Sequence, residues 1–261
     1  MKTINLALVM LLLAIAGCAT QPAESEIQPT TSTTGSETDQ QLRARVHTDL
    51  ASGYYELGNM GVALEEVNLA LRADPSYAPA HNVAGLVYAD LKEDRLAQQS
   101  FERALSINPL DSDANNNYGM FLCQRTREEE AIKYFLAALR NPLYQHPDRS
   151  YINAGLCSRR RGETAAAEDY FQRALKLRPN QPQALYQLAD IEYARGNLVE
   201  AKAYLGRLTK VAAAGAEVLW LGVRVAHKLG DPNSEASYAL QLRKNYPDSK
   251  EARALSAGRY E

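Results

Sequence analysis

Small, apolar and polar residues are spaced along this chain with helical periodicity, and the whole arrangement recurs about every 34 residues. The cleanest copy is Ala78–Pro109. Counted from Ala78 as position 1, Gly85 falls at 8, Tyr88 at 11, Ala97 at 20, Phe101 at 24, Ala104 at 27 and Pro109 at 32. Such spacing predicts two short amphipathic helices that pack on one another. Gly85 and Ala97 are small where the helices cross closely. Tyr88 and Phe101 fill the space beside the crossing, and Ala104 admits the next helix pair. Pro109 cannot continue a helix and ends the second one.

The spacing resembles the tetratricopeptide-repeat (TPR) pattern of one helix–turn–helix unit per 34 residues, and its recurrence makes the match specific. A first unit starts at Ala44, with Leu50, Ala51, Tyr54, Gly58, Ala63 and Ala70 in register. The stretch Ala78–Pro109 is the second. A third starts near Ser112, read as its N-cap, and carries Tyr118, Gly119, Leu122, Ala131, Phe135 and Ala138. Thr126 and Glu129 have the spacing of a capping box for its second helix. Two extra residues in Asn141–Pro147 predict a bulged loop before the fourth unit, which holds Gly155, Ala167, Phe171 and Pro179. A fifth unit, from Pro182, has Leu205 and Leu208 where Phe and Ala are usual. A sixth, from about Ala216, is degenerate, with Trp220 and Gly222 off register. The expected fold is an all-α TPR superhelix of about six units over residues 42–250, followed by a C-terminal tail at 251–261.

Helix pairs stacked this way present a concave face lined mostly by first helices. In this register the lining includes Tyr55, Asn82, Leu86, Asn116, Met120, Ile152 and Leu156. An apolar strip flanked by amides suits a peptide helix or an extended segment. Inter-unit packing is the competing role for each of these residues.

The N-terminus adds a compartment. Lys2 precedes the apolar run Leu6–Ala16, which is too short to span a bilayer and reads as a signal peptide over residues 1–17. Ile15-Ala16-Gly17-Cys18 resembles a bacterial lipobox. That resemblance implies acyl chains on Cys18, inserted in the inner leaflet of the outer membrane, and Ala19 rather than Asp fits that destination. Residues 18–41 are rich in Thr, Ser, Gln, Glu and Pro and cannot bury enough to offset ordering. They are expected to act as a tether with a reach on the order of 25–30 Å.

Composition narrows the chemistry further. A net charge of −2 leaves no basic excess for nucleic acid as the main partner. The run Arg159–Arg161 reads as a solvated helix end. His47, His81, His146 and His227 are scattered, with His47 and His81 at packing positions. The chain has no HExxH, Cys/His cluster, phosphate loop or GxSxG elbow, so neither an enzyme nor a cofactor is implied. If Cys18 is lipidated, Cys123 and Cys157 remain as a pair in an oxidising compartment. Both lie on first helices of consecutive units, which pack side by side, and a bond between them is expected; two buried free thiols are the alternative.

Three stretches go beyond generic repeat consensus: Asn115–Gln124, Asn141-Pro142-Leu143-Tyr144 and Tyr151–Cys157. With the lipobox upstream, residues 42–250 resemble the type IV pilus biogenesis/stability lipoproteins, the PilF/PilW-type pilotins. The resemblance implies a monomer that binds the pilus secretin subunit and promotes its outer-membrane localisation and multimerisation. A TPR lipoprotein scaffolding another envelope process, such as cell-wall synthesis or outer-membrane protein assembly, shares the generic features.

Overall fold

A computed structural model describes residues 37–260; the Cys18 lipobox and most of the tether lie outside the described residues. Twelve helices form six consecutive antiparallel pairs. They are α1 (Asp39–Glu56) with α2 (Met60–Ala73), α3 (Ala78–Asp90) with α4 (Asp94–Ile107), and α5 (Ser112–Gln124) with α6 (Glu128–Ala138). The second half continues with α7 (Pro147–Arg160) and α8 (Thr164–Leu177), α9 (Pro182–Arg195) and α10 (Leu198–Val211), and α11 (Ala216–Leu229) and α12 (Pro232–Asn245). A short α13 (Lys250–Ser256) follows. Each first helix packs on its own second helix, and α1, α3, α5 and α7 also touch in sequence. The described residues are all-α, the expected repeat superhelix.

The crossing inside a unit shows why the spacing matters. A Cβ built on Gly85 would stand 2.6 Å from the Phe101 ring, and Gly119 and Gly155 meet Phe135 and Phe171 in the same way. The three phenylalanines are fully buried. Each burial contributes about 1.5–3 kcal/mol relative to an exposed ring. The ring of Phe101 continues into a cluster with Tyr118 and Phe121, at centroid distances of 5.4 and 5.7 Å.

The sixth unit is more regular than its sequence suggests. A Cβ on Gly222 would lie 2.9 Å from the Tyr238 ring, so this pair repeats the Gly85–Phe101 crossing. Gly119 follows Phe101 by 18 residues, Gly155 follows Phe135 by 20, and Gly222 follows Leu205 by 17. The loop before the fourth unit is thus two residues longer, and the loop before the sixth is one shorter. That missing residue displaced Gly222 from its apparent register.

Three boundaries differ from the sequence reading. The helical unit starts earlier than residue 42, because Thr38 caps α1 in a reciprocal box with Gln41, at 3.2 and 3.1 Å. Residues 251–261 do not form a plain tail. Ala252 and Leu255 of α13 are buried in the last core cluster, and the Tyr260 ring stacks on His227 at 4.0 Å. Asp111, and not Ser112, caps α5 by accepting from the Ala114 N–H; the Ser112 hydroxyl donates to the Ala138 carbonyl.

No capping box forms at Thr126. Its backbone is left-handed, with φ 58°, at the turn position that Gly162, Gly196 and Gly230 occupy in later units. From there its hydroxyl donates to the Arg125 carbonyl, and Arg127 becomes the N-cap residue. Lys92, with φ 65°, occupies the same place in the second unit. The arginine run is also more than a solvated end: Arg159 pairs with Asp190 at 2.8 Å and Arg160 donates to the Cys123 carbonyl at 3.1 Å. His47 and His81 are half-buried and bind Glu66 and the Pro75 carbonyl rather than filling a core.

Candidate partner-binding groove

Four first helices, α1, α3, α5 and α7, line one groove of about 680 Å³. Tyr55, Asn82, Leu86 and Met120, all expected on the inner face, line it. Leu86 and Met120 supply its apolar strip, with Met120 36% exposed. Tyr55 stands at the α1 wall. Burial, and after it the Asp90 carboxylate with which it shares a hydrogen bond, push its phenol up to about 12. The hydroxyl therefore stays protonated at neutral pH.

Asparagines brace the helices beneath this strip. Asn117 Nδ2 donates to Asn82 Oδ1 at 3.2 Å, tying α5 to α3. Asn153 Nδ2 and Ser150 Oγ both donate to Asn116 Oδ1, at 2.9 and 3.1 Å, tying α7 to α5. Ser150 Oγ also reaches the Tyr144 hydroxyl at 3.4 Å, which anchors the longer loop.

Asn116, Ile152 and Leu156 do not line this groove. Asn116 is fully buried under the hydrogen bonds just described. Ile152 is buried in the next core cluster, with an edge on a separate shallow depression beside Arg178. Leu156 packs half-buried against that same cluster. Asp113, Asn117, His146, Arg149 and Asn153 line the groove and were missed. Asp113 and Arg149 stand six residues before Gly119 and Gly155, and Asn117 and Asn153 stand two before them. Extending the inner-face positions to these two offsets would have found these four, but not His146. The groove is therefore apolar at its base and carries both charge signs on its walls.

Next to the groove, the outer face of α1 exposes Leu42, Val46 and Leu50, at 41, 44 and 44%, and Leu57 prolongs the row. The spacing of four places them on one side, opposite buried Ala44, Thr48 and Ala51. Terminal units normally turn a polar face outward, and this apolar ridge departs from that rule.

Cys123 and Cys157 are bonded to each other, with Cα atoms 6.0 Å apart, and join α5 to α7 behind the groove. The walls and floor of the groove are thus fixed by a covalent bond, an amide ladder and aromatic packing.

These features define a TPR superhelix with a braced inner groove. Family models described as tetratricopeptide repeat match residues 78–109, 111–180 and 159–219. The chain is 33% identical over 98% of its length to the type IV pilus assembly protein PilF of Pseudomonas aeruginosa, covering 99% of that protein. The solved structure of Pseudomonas aeruginosa PilF superimposes with a TM-score of 0.78, at 32% identity, covering 85% of this chain and all of that one. The crystal structure of PilW, a type IV pilus biogenesis factor, gives 0.73 at 35% identity, covering 81% of this chain and 97% of that one. The chain belongs to this family of type IV pilus biogenesis TPR proteins.

Proposed function

We propose that the chain is an outer-membrane lipoprotein, a pilotin, that binds the type IV pilus secretin subunit and promotes its localisation and multimerisation. Acyl chains on Cys18 supply membrane affinity, and residues 18–37 supply reach. The groove holds an apolar or amphipathic segment of the secretin against Leu86 and Met120, and the ridge on α1 covers its continuation. Captured in this way, the segment is kept from aggregating before the ring closes. The observation that carries the reading is the apolar strip between charged walls, in a chain whose family serves pilus biogenesis. Burying such a strip stabilises a complex by roughly 25 cal/mol per Å², before the cost of association.

Deleting the gene and restoring it with native or Cys18→Ser chain tests this. Secretin multimers and surface pili should vanish on deletion, return with the native chain, and return poorly when the anchor is absent. Normal multimers in the deletion strain would refute the reading.

A further inference from the structure

The last two units hold a second pocket, of about 470 Å³, between α9, α11 and α13. Tyr186 stands three residues before Ala189, as Asn82 stands three before Gly85, so this wall continues the inner face that lines the groove. Arg224 borders the pocket from α11. Its guanidinium lies 4.6 Å from the centroid of the Tyr193 ring and 6.0 Å from that of Trp220. Arg159 and Arg195, on the preceding first helices, pair with Asp190 and Glu168. Arg224 pairs with no carboxylate among the described residues, and its Nε is enclosed without an acceptor. Aromatic faces hold the planar fork in place, and its N–H groups meet no acceptor among the described residues. A half-buried cation left in that state favours an external acceptor.

We propose that this pocket is a peptide subsite in which Arg224 binds the side-chain carboxylate of an Asp or Glu within an extended segment of a protein partner. The fork of an arginine matches a carboxylate bidentately, which a lysine cannot do. Glu217 and Glu251 also line the pocket, beside Lys250. They disfavour a doubly charged phosphate and favour a segment in which a basic residue adjoins the acidic one. Burial, then the Asp190 and Glu217 carboxylates, push the Tyr186 phenol up to about 12, so it remains a hydrogen-bond donor on the same wall. Trp220, buried and stacked on the Tyr260 ring, gives the pocket an apolar edge. The subsite goes beyond the secretin reading and does not depend on which protein fills the groove.

Trp220 is the chain's single tryptophan and lines this pocket, so its emission is a local probe of it. The probe is a short peptide with blocked termini and a Phe-Asp-Lys centre, titrated into the purified chain. A saturable emission shift is expected, at least about tenfold weaker when Asp is replaced by Asn, because the charge-assisted pair is lost. Arg224→Lys should bind several-fold more weakly and Arg224→Gln should not respond, with circular dichroism melts reporting that each variant folds. If Arg224→Gln fails to fold, Arg224→Lys carries the comparison. Equal responses to the Asp and Asn peptides, or native affinity in the folded variants, would overturn the subsite. Full competition by inorganic phosphate, or a larger shift with phosphatidylglycerol vesicles than with the peptide, would overturn its assignment to a protein carboxylate.

Discussion

In the second, third and fourth units a glycine lies under a phenylalanine ring: Gly85 under Phe101, Gly119 under Phe135 and Gly155 under Phe171. At the same places the first unit has Ala51 and Val67, and the fifth has Ala189 and Leu205, all four buried. The two solutions fill one space. A ring needs the Cβ removed from the facing helix, whereas a smaller branched side chain leaves room for it. Only the middle units also carry the disulfide and the asparagine ladder. The middle is thus built to hold its shape, while the exposed apolar ridge lies on α1 and an arginine without a carboxylate partner among the described residues lies at Arg224.

The largest expected effect comes from removing the covalent brace. Cys123→Ser combined with Cys157→Ser opens a loop of about 35 residues and should lower unfolding free energy by about 3–4 kcal/mol in the chain-entropy model, read by urea denaturation. Adding reductant to the native chain should move the midpoint the same way.

The crossing itself comes next. In an ordinary helix Gly→Ala stabilises by about 1 kcal/mol. Here Gly119→Ala should destabilise by about 2–3 kcal/mol, because its Cβ would meet the Phe135 ring at 2.7 Å. Adding Phe135→Leu recreates the Ala189–Leu205 pair and should recover at least about 1 kcal/mol of coupling in a double-mutant cycle. Strict additivity would break the comparison.

A smaller gain is expected at the turn of the third unit. Thr126 is β-branched and left-handed, at the turn where the first, fourth, fifth and sixth units use glycine and the second uses Lys92. Thr126→Gly should stabilise by about 1 kcal/mol, visible as a higher melting temperature.

The smallest effect lies between the last two units. Lys202 Nζ stands 2.7 Å from Asp231 and, with Ser234, holds its carboxyl well below the usual carboxylate range. A carboxyl depressed in the folded state contributes stability above its ordinary range and loses it as pH falls. Lys202→Met should therefore lower the melting temperature slightly at pH 7 and not at all in strong acid, and added salt should erase the difference.

The repeat was legible because its determinants are local: a small residue, a ring and a proline at fixed separations. Gly222 lost its apparent register to one missing loop residue, although Tyr238 sat at the right distance from it. Thr126 misled because Thr–x–x–Glu is also compatible with a left-handed turn residue, and only the backbone path tells the two apart. Tyr55, Asn82, Leu86 and Met120 could be found from unit positions. Asn116 could not, because its burial depends on Ser150 and Asn153 from the next unit. The long-range pairing of Arg159 and the lack of it at Arg224 likewise depend on which helices meet.

The groove is tested most directly at Leu86, at the base of the strip and half-buried at its edge. A charge at that place repels an apolar segment and leaves the glycine–phenylalanine crossings untouched. Secretin pull-down by the Leu86→Glu chain should fall at least about tenfold, with an unchanged circular dichroism spectrum and an intact Cys123–Cys157 bond. Native-level pull-down by that folded variant would contradict the account.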